Sequence, residues 1–124
     1  MGVHDKIIQG AAERLMEDER LRTNLADDEA KQLMDWALAW LEARVFKASN
    51  EAMARQIAQT EMTRLRPAMS KINDLLGEGK MPALTNAVRA LGLPSTKTAT
   101  TPLDRRGLIR ALTTQLAESW RNSE

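Results

Sequence analysis

The run Leu33-Met34-Asp35-Trp36-Ala37-Leu38-Ala39-Trp40-Leu41 carries two of the chain's three tryptophans, inside a stretch, Ala11 to Arg66, that has neither glycine nor proline. Glycine and proline most often interrupt regular structure, so helix is the default over that whole stretch. On a helix of about 3.6 residues per turn, Ala30, Leu33, Met34, Ala37, Leu41, Arg44 and Val45 share one stripe. Trp36 and Trp40 broaden it, and Leu38 lies off it. A helix apolar around most of its circumference needs several neighbours to cover it. The segment from about residue 27 to 48 is therefore expected to be the central helix of an all-α bundle of five or six helices.

A chain of 124 residues suits a single domain with its own core. Hydrophobic residues at 43% support that core, and with one phenylalanine and no tyrosine its filling must be mainly aliphatic, aided by seven methionines. The absence of cysteine excludes disulfides and thiolate sites and fits a cytoplasmic setting. No apolar run suggests a signal peptide or a membrane span. Net charge is +1, but the first 61 residues carry −4 and the remainder +5. That asymmetry allows packing of one half on the other, head-to-tail association of two copies, or an anionic partner for the basic half.

Punctuation along the chain divides it further. A first helix is expected over about Asp5 to Arg20, with Ile7, Ile8, Ala11, Ala12, Leu15 and Met16 on its apolar face and a turn at Arg22-Thr23-Asn24-Leu25. Asp27, Asp28 and Glu29 place negative charge at the start of the second helix, which explains that triplet without a metal ion. A break is expected near Ser49, with Ser49 or Asn50 capping a third helix. Pro67 marks either a fourth helix or a kinked continuation of the third, ending at Gly77-Glu78-Gly79. Pro82 opens and Gly92 closes a short helix, with Leu84, Val88 and Leu91 inward and Leu93 folding back over the last turn. Residues 94 to 101 read as a flexible connector. Thr101 then caps the last helix, which runs to about Arg121 and buries Leu108, Ile109, Leu112, Leu116 and Trp120.

Catalytic chemistry finds little support. His4 is the sole histidine and sits near a terminus expected to fray, which disfavours histidine-based metal clusters and triads. Asp35, Glu42, Glu51 and Glu61 form a weak candidate set for a carboxylate site between helices. Gly77-Glu78-Gly79-Lys80 lacks the spacing of a phosphate-binding loop. No metal, cofactor or enzymatic activity is expected. Tryptophan, methionine and arginine are enriched at interface cores, so the leading expectation is a protein-interaction or assembly module, self-associating or binding a protein partner through Trp36, Trp40 and Met53. The alternative is nucleic-acid binding through Arg105, Arg106, Arg110 and Lys97. Residues 87–94 look like the first helix and turn of a helix-turn-helix, but the next helix is expected too far on for that motif.

Overall fold

The computed structural model describes residues 2–77, 84–93 and 104–123. Over these the fold is an all-α bundle: α1 (Val3–Glu17), a 3-10 turn (Glu19–Leu21), α2 (Asp27–Val45), α3 (Glu51–Leu76), α4 (Leu84–Ala90) and α5 (Arg105–Asn122). The expected connector at 94–101, the opening proline Pro82 and the expected cap Thr101 lie outside the described residues.

Side chains that compete for backbone bonds set most of the boundaries. α1 stops at Glu17, earlier than the expected Arg20, because Asp18 turns its carboxylate onto the Arg20 amide at 3.2 Å and nucleates the 3-10 turn. α2 begins at the acidic triplet, where Glu29 accepts the Ala26 N–H at 2.8 Å. The break before α3 falls where expected, and Asn50 supplies the cap by accepting the Met53 N–H at 2.8 Å. At the other side of the molecule α5 starts on Asp104, whose carboxylate accepts the Gly107 N–H at 2.7 Å. That cap replaces the one expected from Thr101.

Pro67 leaves α3 unbroken. Its ring removes one hydrogen bond to the Thr63 carbonyl, and both residues lie on the exposed side, where water can take the vacated acceptor. Gly92 closes α4 at φ 71°. The Leu93 N–H reaches the Val88 carbonyl at 3.1 Å and the Gly92 N–H reaches Arg89 at 3.0 Å, the double closure that favours glycine in the left-handed region.

α2 packs on α1, α3 and α5, and α3 shares the central position by touching α1, α2, α5 and the 3-10 turn. Leu33, Ala37 and Leu41 of α2 and Leu65, Met69 and Ile72 of α3 meet Leu108, Ile109 and Leu112 of α5 in the main core. A smaller cluster of Ile8, Val45, Ala48, Ala54 and Ala58 joins α1 to the end of α2 and the start of α3. Its alanines allow those backbones to approach closely.

One buried polar residue closes the turn region onto α3. Asn73, 2% exposed, donates to the Arg20 carbonyl and the Thr23 hydroxyl at 3.2 and 3.0 Å, and accepts the Asn24 N–H at 2.8 Å. Asn24 in turn donates its carboxamide to the Asn73 carbonyl at 3.1 Å. Full satisfaction of this kind removes the desolvation penalty that a buried amide would otherwise carry.

Candidate functional site

Two concave surfaces flank α2. The first is built on the tryptophans. Trp120 of α5 lies edge-on to Trp40 at 5.2 Å between ring centroids and tilted to Trp36 at 5.7 Å. The Trp40 indole N–H donates to Glu61 at 2.7 Å, and Arg64 stands 3.6 Å from the same carboxylate. Arg44 covers the Trp40 ring at 4.3 Å, Arg121 approaches it at 5.7 Å, and Arg64 lies 5.4 Å from the centre of Trp120. Guanidinium groups prefer the electron-rich ring faces, so the indoles hold these cations in place. Beside this cluster the exposed alanines Ala39 and Ala43 leave a cleft of about 400 Å³, edged among the described residues by Arg44, Lys47 and Arg121.

Of the residues expected to meet a partner, Trp40 is 5% exposed, so its indole works chiefly inside the chain. Trp36 is half-buried at the cleft wall, and Met53 is exposed on α3. Sequence reasoning missed Arg44, Arg64 and Arg121 as parts of the tryptophan cluster. Arg44 could have been found, since it stands one turn beyond Trp40 on the same helix; the other two come from α3 and α5.

The second surface lies between α1 and α2. Ala12, Leu15 and Met16 from α1 and Ala30, Met34 and Leu38 from α2 line an apolar groove of about 560 Å³. Met16 is 57% exposed at its edge. Arg22, Lys31, Asp27 and Asp35 form the rim, with Lys31 and Asp35 paired at 2.9 Å on the solvent side.

The basic start of α5 is built differently from a phosphate-binding patch. Arg105 turns inward: it bonds both oxygens of buried Glu29 at 2.8 and 3.3 Å, the Leu76 carbonyl at 2.9 Å and the Asn24 carbonyl at 2.8 Å. One guanidinium thus ties α5 to the start of α2 and the end of α3. Its hydrogen bonds, helped by the Ala26 N–H, hold the Glu29 carboxyl below the usual glutamate range against the opposing effect of burial. Arg106 and Arg110 are exposed, and Lys97 lies outside the described residues.

Of the candidate carboxylates, Asp35, Glu51 and Glu61 serve structural pairs on or between helices, and Glu42 is exposed on α2. Glu51 bonds Arg55 at 2.8 Å, and Asp18 bonds Arg20 and Arg66 at 3.0 and 2.9 Å. Hydrogen bonding from Arg20 lowers the Asp18 pKa. His4, expected on a frayed end, stacks on Phe46 at 6.1 Å and sits 3.2 Å from the Ala48 carbonyl. Among the described residues no group of three or more histidines and acids could hold a metal ion, and no helix is long and apolar enough to cross a membrane. Comparison with known protein families, curated proteins and solved structures finds no match.

Proposed function

We propose that this chain is a non-catalytic helical assembly module that self-associates through the groove between α1 and α2. The observation that carries the reading is Met16, 57% exposed over an apolar groove shared with Met34 and Leu38. Methionine and leucine in such a position release ordered water when a second apolar surface covers them, and methionine adapts its shape to that surface.

The rim favours a second copy as the occupant. A two-fold interface sets one patch against itself, so a rim of a single sign repels its own image. This rim carries two cations and two anions. Lys31 and Asp35 stand one turn apart on α2, and antiparallel apposition of two α2 helices brings each Lys31 to Asp35 of the second copy. The lack of cysteine suits a reducing compartment such as the cytoplasm. Inward-facing Arg105 leaves Arg106 and Arg110 as the exposed part of the basic patch, which weakens the nucleic-acid alternative.

Light scattering over a concentration series from micromolar to hundreds of micromolar tests the reading. The expected mass rises to that of a dimer, and Met16→Glu or Lys31→Glu returns it to the monomer. A monomer at every concentration, or a dimer indifferent to both substitutions, would overturn it.

A further inference from the structure

The groove between α1 and α2 also holds the most accessible sulfur among the described residues. We infer that Met16 is a modification site: oxidation of its thioether to the sulfoxide by a hydroperoxide separates the dimer and so places self-association under the control of oxidant. The inference rests on the self-association reading above and adds a chemical control to it.

Three observations direct the reaction to this residue. The chain has seven methionines and no cysteine, so no thiol of its own competes for peroxide. A peroxide must reach the sulfur from solvent, and Met16 is 57% exposed whereas Met34 is half-buried and Met62 and Met69 are buried. Met53, 43% exposed, is the nearest rival. The Ser49 hydroxyl donates to the Met53 sulfur at 3.8 Å and engages electron density of the kind that attacks peroxide. No hydrogen bond reaches the Met16 sulfur among the described residues.

With hydrogen peroxide, a sulfur lone pair attacks one oxygen, and the S–O bond forms as the O–O bond breaks. The departing hydroxide takes the proton from the transferred hydroxyl and leaves as water. Sulfur has then given up two electrons to become the sulfoxide, and the peroxide has been reduced. A sulfoxide reductase supplied with a dithiol reverses the change: two electrons and two protons release the oxygen as water, and the dithiol becomes a disulfide.

The sulfoxide has opposite consequences for monomer and dimer. In the monomer its oxygen stands at the groove edge in water, so the fold is undisturbed. In the dimer a second copy buries the S–O dipole beside Met34 and Leu38, whose side chains carry no donor for it, and an unpaired buried acceptor weakens association by about tenfold. A two-fold dimer contains the residue twice, so full conversion raises the dissociation constant by about a hundredfold. Linkage also runs the other way. The second copy shields the sulfur, and the dimer therefore resists oxidation while the sulfoxide, once formed, holds the chain as monomer.

The test uses the intact protein, treated with hydrogen peroxide at a dilution where it is monomeric, freed of peroxide and mapped by peptide mass spectrometry. Met16 should be oxidised ahead of Met34, Met53, Met62 and Met69. Light scattering over a concentration series should then give a dissociation constant about a hundredfold above that of untreated protein, restored by sulfoxide reductase and dithiol, with circular dichroism unchanged throughout. Met16→Gln sets a polar group at the same place without oxidant and should weaken the dimer to a similar extent, whereas Met53→Leu should keep the full response to peroxide. Oxidation of Met16 should also slow as protein concentration rises, following the fraction of monomer. Untreated protein that is monomeric at every concentration sinks the self-association reading, and this inference with it. A dimer that forms untreated and keeps its dissociation constant after Met16 is converted, that loses helical signal along with association, or whose Met16 oxidises no faster when dilute sinks the inference alone.

Discussion

Replacing Arg105 with alanine should be the most damaging single change at the surface of this bundle. The guanidinium reaches the Glu29 carboxylate through two nitrogens and the carbonyls of Leu76 and Asn24 through the others. Removal leaves Glu29, whose side chain is 8% exposed, charged and without its cation. Breaking a fully buried pair from one side costs about 3–5 kcal/mol. Arg105 keeps 35% of its side chain in water, which screens the pair, so about 2–3 kcal/mol is the expected loss. Lysine retains the charge but not the planar fork, and Arg105→Lys should recover less than half of the loss. The pH dependence separates this cause from simple loss of packing. Because the folded state depresses the Glu29 pKa, its ionised form contributes stability that is complete above the ordinary glutamate range and disappears as pH falls through the lowered folded value. The gap between wild type and Arg105→Ala should therefore be widest at neutral pH and close in acid. Urea unfolding followed by circular dichroism at a series of pH values measures it. A neutral-pH loss under about 0.5 kcal/mol, or a gap that stays constant into acid, would refute the reasoning.

Three further substitutions probe other joints by the same unfolding assay. Trp40→Phe removes the N–H that Glu61 accepts and leaves a 7% exposed carboxylate short of a donor, for an expected loss of about 1–3 kcal/mol; no loss would mean that Arg64 alone satisfies Glu61. Gly77→Ala places a Cβ into the Asn24 carboxamide, so Asn24 must leave the Asn73 carbonyl and stability should fall by about 1–3 kcal/mol. An unchanged midpoint would show that the Asn24–Asn73 pair contributes little. Pro67→Ala should instead stabilise α3 by about 1–2 kcal/mol, because the restored N–H bond outweighs the added freedom of the unfolded chain. A lower midpoint would mean that packing of the proline ring contributes more than the missing hydrogen bond costs.

What the sequence discloses depends on the range over which each signal acts. Local signals were legible: the apolar period of α2, the break before α3 capped at Asn50, and the Gly92 closure of α4 all depend on residues within a few positions of one another. Equal local competitors produced the boundary errors. Asp18 ends α1 ahead of the expected boundary at Arg20, and Asp104 caps α5 in place of Thr101. Contacts between distant residues left no trace in spacing. Nothing in the triplet Asp27-Asp28-Glu29 indicates that its third member is buried against Arg105, and nothing at Arg105 distinguishes it from exposed Arg106. The same holds for the candidate surfaces. Trp36 and Trp40 drew attention as aromatic residues, yet their surroundings are set by Arg64 and Trp120 from α3 and α5.

The unusual breadth of the apolar pattern on α2 now has a physical explanation. Leu33, Ala37 and Leu41 are fully buried and face α3 and α5. Ala30, Met34 and Leu38 sit on another side and line the groove against α1. Trp36, Ala39 and Ala43 face the cationic cleft, nearly opposite the groove at about 100° per residue. A bundle helix with only a core to serve would carry polar residues on two of these three sides. Holding three apolar faces is costly to solubility unless each is covered or narrow, and here α1 half-covers one while alanines keep another slight. Because the core separates groove from cleft, the two surfaces should respond independently: Met16→Glu should abolish dimer formation without altering the intrinsic fluorescence of the tryptophan cluster, and Arg121→Gln, which removes a cation from the Trp40 ring, should do the reverse. If either substitution disturbs both readouts, α2 is transmitting strain between its faces, and the separation of the two surfaces fails.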